Sequence, residues 1–173
     1  MKRMELVSYL DDYLRINEIE DYGPQGLQVE SDNEQIERIA LAVDAAPEVI
    51  AAAAAWDADM LLVHHGILWR SVERIAGPLG RRVRLLLANG INLYAAHLAL
   101  DAHPSVGNNA VLAQMMGAEI EAWWCPQGGV MIGVCGPVEP GLKLAVLAQR
   151  AERNEIVSSC LSIYFGQLDL ALA

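Results

Sequence analysis

The stretch Met60-Leu61-Leu62-Val63-His64-His65-Gly66 decides the reading of this chain. Its first four residues are wholly apolar, as in a strand buried on both faces of a sheet, and two histidines stand at its carboxyl end. Upstream, residues 36–43 read as another strand, ending at Asp44. Pro47 then falls at the first turn of a helix, where its missing N–H costs nothing, and residues 51–55, all alanine, are strong helix formers. Downstream, residues 79–88 read as a helix stopped by Asn89-Gly90. Residues 91–96 form the next strand, with His97 at its end. Strand, helix, strand, helix, strand predicts an α/β fold: a mainly parallel sheet flanked by helices, with right-handed crossovers. In such sheets the reactive groups lie beyond the carboxyl ends of the strands. Asp44, His64, His65 and His97 all fall on that edge.

The flanks are less emphatic. Leu6, Leu10, Tyr13 and Leu14 recur at helical spacing, residues 21–26 form a loop by their Gly and Pro content, and Leu27-Gln28-Val29 is a short extended piece. After Gly107-Asn108-Asn109 a helix runs to Met116 and stops at Gly117. Residues 119–124 read as a strand, 125–129 as a linker, 130–138 as a strand, 141–153 as a helix and 156–165 as a final strand. The expected organisation is a metal-site α/β domain over 1–124 and the start of a second α/β domain, truncated or divergent, over 125–173.

Composition limits the partners. The chain has 173 residues, 54% hydrophobic and 20% charged, with a formal charge of −10, which suits a well-buried α/β domain. Nucleic-acid binding needs clustered basic residues. Only Arg81, Arg82 and Arg84 cluster, as a solvated helix face or at most a local phosphate contact. Cys125, Cys135 and Cys160 form no CxxC pair and leave an odd thiol, which fits a reducing cytosol. The amino terminus has no apolar signal-peptide core, and acidic residues and Pro47 interrupt the alanine-rich stretch, so no membrane span is expected. The expected setting is cytoplasmic.

All four histidines lie between residues 64 and 103, and Asp101 follows His97 by four. Neutral imidazole with a carboxylate is a usual ligand set for zinc, iron, nickel or manganese. Neighbouring residues of a regular strand point to opposite faces, so His64 and His65 share one ion only if the chain turns sharply, which Gly66 permits. A simpler arrangement gives each imidazole its own ion in a pair, with Asp101 bridging through both oxygens and His97 completing one shell. Two cations about 3.5–4 Å apart activate water and polarise a carbonyl, phosphoryl or ring carbon. Asp44 is placed as an accessory ligand or as the partner of one. Trp56, Trp69, Trp123 and Trp124 read as packing or interface residues. Gly107-Asn108-Asn109 fits either backbone N–H groups offered to an anion or a helix entry with Asn as cap. Neither a Walker nor a Rossmann fingerprint occurs.

Four blocks in order carry a resemblance: residues 21–30 (DYGPQGLQVE), Val63-His64-His65-Gly66 with Trp69, residues 92–104 (NLYAAHLALDAHP), and Gly107-Asn108-Asn109. They resemble the GTP cyclohydrolase 1 type 2 homologue family, the Nif-three-like dinuclear metal proteins, over roughly residues 1–120. The resemblance implies a two-domain α/β fold, a toroidal homohexamer built as a trimer of dimers, and two divalent ions facing the central cavity. It implies His64, His65, His97 and Asp101 as metal ligands and gives His103 no such role, leaving it as a ligand's partner or a loop residue. It also implies a late His-x-x-x-Glu pair, yet no histidine follows His103. The end is therefore expected to be a natural short form, a fragment or a shifted reading frame, with Glu155 and Asp169 as substitute acids or, as is commoner near a terminus, plain solvated charge. The function expected is a metal-dependent hydrolase of a small nucleotide-like or heterocyclic substrate, with Asp101 setting the spacing of the ions. The alternative is a non-catalytic metal carrier or regulatory scaffold.

Overall fold

The computed structural model describes residues 1–69 and 74–153, with no account of the side chains of residues 151–153. Four strands form the main sheet: β1 (Gly26–Val29), β2 (Ile39–Asp44), β3 (Met60–His65) and β4 (Asn92–Ala95), in the order β1-β4-β3-β2. β2 and β4 flank β3 in parallel, and β1 closes the other side of β4 antiparallel. The mainly parallel sheet expected from the strand–helix alternation is thus present, with one antiparallel edge. Asp44 pairs with His65 in the register, so two candidate residues face each other across adjacent strand ends.

Alternation along β3 and β4 sorts the core into two layers. Leu61, Val63, Leu93 and Ala95 point to one face and pack with Ile50 and Ala53 of α2 (Pro47–Ala55) and Leu86 of α3 (Gly77–Ala88). Met60, Tyr94 and Ala96 point to the other and pack with Leu6, Val7 and Leu14 of α1 (Arg3–Leu14). Residues 60–63 of β3 and 93–95 of β4 are therefore apolar because each face is covered. A buried polar hub ties the layers together at the amino ends of these strands. The Asn92 amide accepts from Ser31 N–H and donates to the Asn33 and Asp59 carbonyls, while the Arg3 guanidinium donates to the Ser31 and Asn33 carbonyls and pairs with Glu30.

Beyond the sheet come α4 (Leu98–Ala102), α5 (Asn108–Met116), the hairpin β5 (Ala122–Gln127)–β6 (Val130–Cys135) and α6 (Leu144–Arg153). The segment 125–129, expected as a linker, is instead the end of β5 and its turn. Gly128 and Gly129 take φ of 54° and 86°, as a tight hairpin turn requires. The signal was obscured because Pro126 sits within the strand, which a two-stranded ribbon tolerates since every strand is an edge. The hairpin docks on the preceding part of the chain: Asn109 donates to the Ile132 carbonyl and Glu20 N–H to the Gly128 carbonyl. The strand expected at 156–165, and Glu155 and Asp169, lie outside the described residues. No helix among the described residues is long and apolar enough to cross a membrane.

Candidate metal centre

Three strand or post-strand positions converge. His64 and His65 end β3, and His97 follows β4 as the amino-terminal cap of α4. Their ring centroids lie 4.5 Å (64 to 65), 4.9 Å (64 to 97) and 5.5 Å (65 to 97) apart. One nitrogen from each lies within 4.8 Å of the other two. The β4 pairing stops at Ala95 opposite Val63, while β2 stays paired with β3 as far as Asp44 opposite His65.

Gly66 acts through space rather than through a special backbone angle. A Cβ there would stand 2.3 Å from Gln28 Oε1, and that oxygen accepts the N–H groups of Ile67 and Leu68. Gln28 thereby fixes the chain leaving the histidine pair.

Each imidazole has its Nδ1 engaged. His65 Nδ1 lies 2.8 Å from Asp44 Oδ1, His97 Nδ1 lies 2.8 Å from Asp21 Oδ1, and His64 Nδ1 lies 3.2 Å from the Ala96 carbonyl. An acceptor at Nδ1 selects the tautomer with its proton there and leaves Nε2 with a free lone pair. Three imidazoles that each bring one nitrogen within 4.8 Å of the other two are the donor set of an imidazole-bound metal. Burial pushes the His64 imidazolium below the ordinary histidine range; Asp101 opposes this, and His65 and His97 add to it. His64 is thereby held as the neutral ligand form.

Asp101 stands on α4 with Oδ1 3.8 Å from His64 Nε2, beyond hydrogen-bond reach. The same oxygen accepts from Asn108 Nδ2 at 3.0 Å. Asp101 thus lies beside the three-histidine group, against His64. Asp44 sits against a histidine's Nδ1, as the partner of a candidate ligand.

His103 is a loop residue. It is buried, its Nε2 donates to the Tyr13 carbonyl, and its Nδ1 accepts from Ser105 and Val106 N–H. Both nitrogens are spent on structure. Of the tryptophans, Trp69 packs edge-on against His97, with centroids 5.3 Å apart and an 88° interplanar angle.

Three supporting residues escaped the sequence reading. The Asp21 side chain is nearly fully buried (2% exposed), orients His97 with one oxygen and accepts Leu98 N–H with the other. Gln25 Oε1 accepts from His97 and Ala99 N–H, holding the turn that aims His97. Asn108 begins α5 and reaches back to Asp101, while Gly107, not an asparagine, takes the cap position. A side chain at 107 would collide with the His103 and Leu100 carbonyls, its Cβ 2.2 and 2.6 Å away. All three lie in the blocks that carried the resemblance, Asp21 and Gln25 in a segment read as loop and Asn108 in one read either as anion-facing N–H groups or as a helix entry.

Comparison with known proteins agrees with this architecture. A Pyrococcus abyssi protein named GTP cyclohydrolase 1 type 2 homolog is 43% identical over 166 residues, covering 96% of this chain and 66% of that protein. A Pyrococcus horikoshii protein of the same name is 44% identical over 149 residues, covering 86% of this chain and 59% of its own. The chain thus spans about two thirds or less of the length of these curated relatives. A Thermus thermophilus crystal structure superposes with a TM-score of 0.75 at 40% identity, covering 88% of this chain and 61% of the other. The sequence profile of Duf34/NIF3 (NGG1p interacting factor 3) matches residues 1–164. With the fold, the histidine cluster and these matches in agreement, the chain belongs to the Duf34/NIF3 family.

Proposed function

We propose that this chain is a dinuclear metal-binding protein and a metal-dependent hydrolase of a small nucleotide-like or heterocyclic substrate. His64, His65, His97 and Asp101 are its metal ligands. The observation that carries this reading is the set of three imidazoles, each with Nδ1 engaged and ligand nitrogens gathered within 4.8 Å. Divalent ions bound there supply Lewis acidity and an activated water.

The chain's own residues do the rest. Asp21 and Asp44 hold the His97 and His65 rings and raise their basicity as ligands. Asn108 fixes the Asp101 carboxylate beside His64, where it would help to hold the metal. Trp69 walls the site next to His97 and keeps one side of it apolar. The homohexamer implied by the resemblance, and a division near residue 124, belong to the same proposal.

A metal carrier without catalysis is the second reading. It is favoured by the ligand count, since three histidines and one aspartate are few for two catalytic ions among the described residues. Elemental analysis of untreated protein, followed by turnover assays on nucleotide, phosphoester and cyclic-amide substrates, separates the two. Turnover lost on His97→Ala supports the hydrolase. Metal held at stoichiometric level with no turnover supports the carrier. Metal-free protein that takes up no zinc, iron, manganese or nickel defeats both.

A further inference from the structure

Next to the histidine cluster, and sharing His65 with it, a cleft of about 760 Å³ opens between the carboxyl end of β2 and the start of α3. Asp44, Pro47, Trp69, Arg81 and Arg82 also line it. That volume suits a ligand of nucleotide size. The lining is unusual for this chain. Acidic residues outnumber basic ones by 22 to 12, yet Arg81 and Arg82 both border one concavity. Among the described residues neither makes an ion pair or side-chain hydrogen bond. The carboxylate in the cleft, Asp44, is already engaged by His65 Nδ1.

A guanidinium presents a planar fork of donors matched to phosphate oxygens, and two of them bordering one concavity, unpaired among the described residues, form an anion-binding arm. Trp69 supplies an apolar ring wall in the same cleft, with its centroid 6.5 Å from that of His65. We propose that this cleft is the recognition arm of the substrate site. Arg81 and Arg82 hold the phosphate of a phosphorylated heterocycle, its ring packs on Trp69, and its far end reaches the ion at His65. This deepens the metal-dependent reading and rests on it for the reacting end alone; the phosphate arm is a property of the arginines.

The test uses the 173-residue chain and two probes that differ only in phosphate, guanosine 5′-monophosphate and guanosine, titrated calorimetrically. The monophosphate is expected to bind about tenfold or more tightly than the nucleoside, as charge-assisted contacts to phosphate predict. The double variant Arg81→Gln, Arg82→Gln is expected to erase that preference while leaving nucleoside affinity, metal content and melting temperature unchanged. Arg81→Lys with Arg82→Lys is expected to restore part of it. The same titrations on chelator-stripped protein separate this inference from the metal reading. A preference that survives stripping and vanishes in the double glutamine variant supports the arm even if no ion is ever bound. Equal binding of the two probes, no binding of either, a preference retained by the double variant, or one that disappears on stripping alone, each overturns it.

Discussion

Asp21 and His97 are 76 positions apart in sequence, yet Asp21 Oδ1 lies 2.8 Å from His97 Nδ1 while Oδ2 accepts the next backbone N–H, that of Leu98. One buried carboxylate therefore sets both the tautomer of a candidate ligand and the start of the helix that carries Asp101. Asp21→Asn keeps the shape but offers a single acceptor oxygen and removes the charge. Metal affinity is expected to fall by about 10–100-fold, the usual cost of losing a ligand's hydrogen-bond partner. Competition against a fluorescent zinc chelator reads this directly, and unchanged affinity would show that His97 needs no such partner.

His103 provides the contrasting case. It shares the imidazole chemistry of the cluster but spends Nε2 on the Tyr13 carbonyl and Nδ1 on the Ser105 and Val106 N–H groups. His103→Phe is expected to cost about 1–3 kcal/mol of stability through unsatisfied backbone groups, with metal stoichiometry unchanged. Thermal melting and elemental analysis on the same preparation decide it. Loss of metal from a variant that stays folded would move His103 into the ligand set.

A second polar anchor lies at the opposite end of the sheet. Asp59 accepts from the backbone N–H of Glu37 and Arg38 and from the Asn33 amide. Burial pushes its pKa up, but the hydrogen bonds from Arg38, Glu37 and Asn33 outweigh it and hold the carboxyl below its ordinary value. A depressed carboxyl contributes stability that is present above its unfolded pKa and lost as pH falls through its folded pKa. Asp59→Ala is expected to cost about 1–3 kcal/mol at neutral pH. The gap from the parent should narrow as the solution is acidified through the carboxylate range. A pH-independent gap would mean that packing, not charge, is what the substitution removes.

The core of the fold was legible because it is a matter of periodicity. The apolar run 60–63, Pro47 at a helix start and the Asn89-Gly90 stop each act locally, and each reappears in place. The convergence of His64, His65 and His97 was legible too, since parallel strands deliver their carboxyl ends to one edge. What the sequence concealed depends on pairs distant along the chain. Asp21 and Gln25 gain meaning only when their loop folds against His97, and Asn108 only when α5 turns back on α4. Likewise Arg3 and Asn92, a charged and a polar residue, occupy buried positions because they satisfy each other's neighbours. Hydropathy cannot register that. The hairpin was concealed by Pro126 and the paired glycines, whose local signal is the same for a linker and a tight turn.

The last prediction concerns acid. His64 must be neutral to bind an ion, and burial already favours the neutral form by holding its pKa below the ordinary value of about 6.5. In the metal-free protein this has a definite sign. Between the lowered folded pKa and the ordinary unfolded one, the unfolded chain binds more protons at this residue than the folded chain does. The contribution of His64 to stability is therefore full above the ordinary histidine pKa, declines as pH falls through it, and levels off once pH is below the folded pKa. Metal-stripped parent protein should lose melting temperature between about pH 7.5 and 5 more steeply than His64→Asn, in which the titrating group is absent. Bound metal adds a second, larger dependence of the same sign, because each ligand imidazole exchanges a proton for the ion. Metal content after dialysis should accordingly fall across the same interval, with His64→Asn starting lower at every pH. Two results would speak against this account: parallel melting curves for parent and variant, which would remove the titration from His64, and full metal retention at about pH 5, which would mean that carboxylates alone hold the ion.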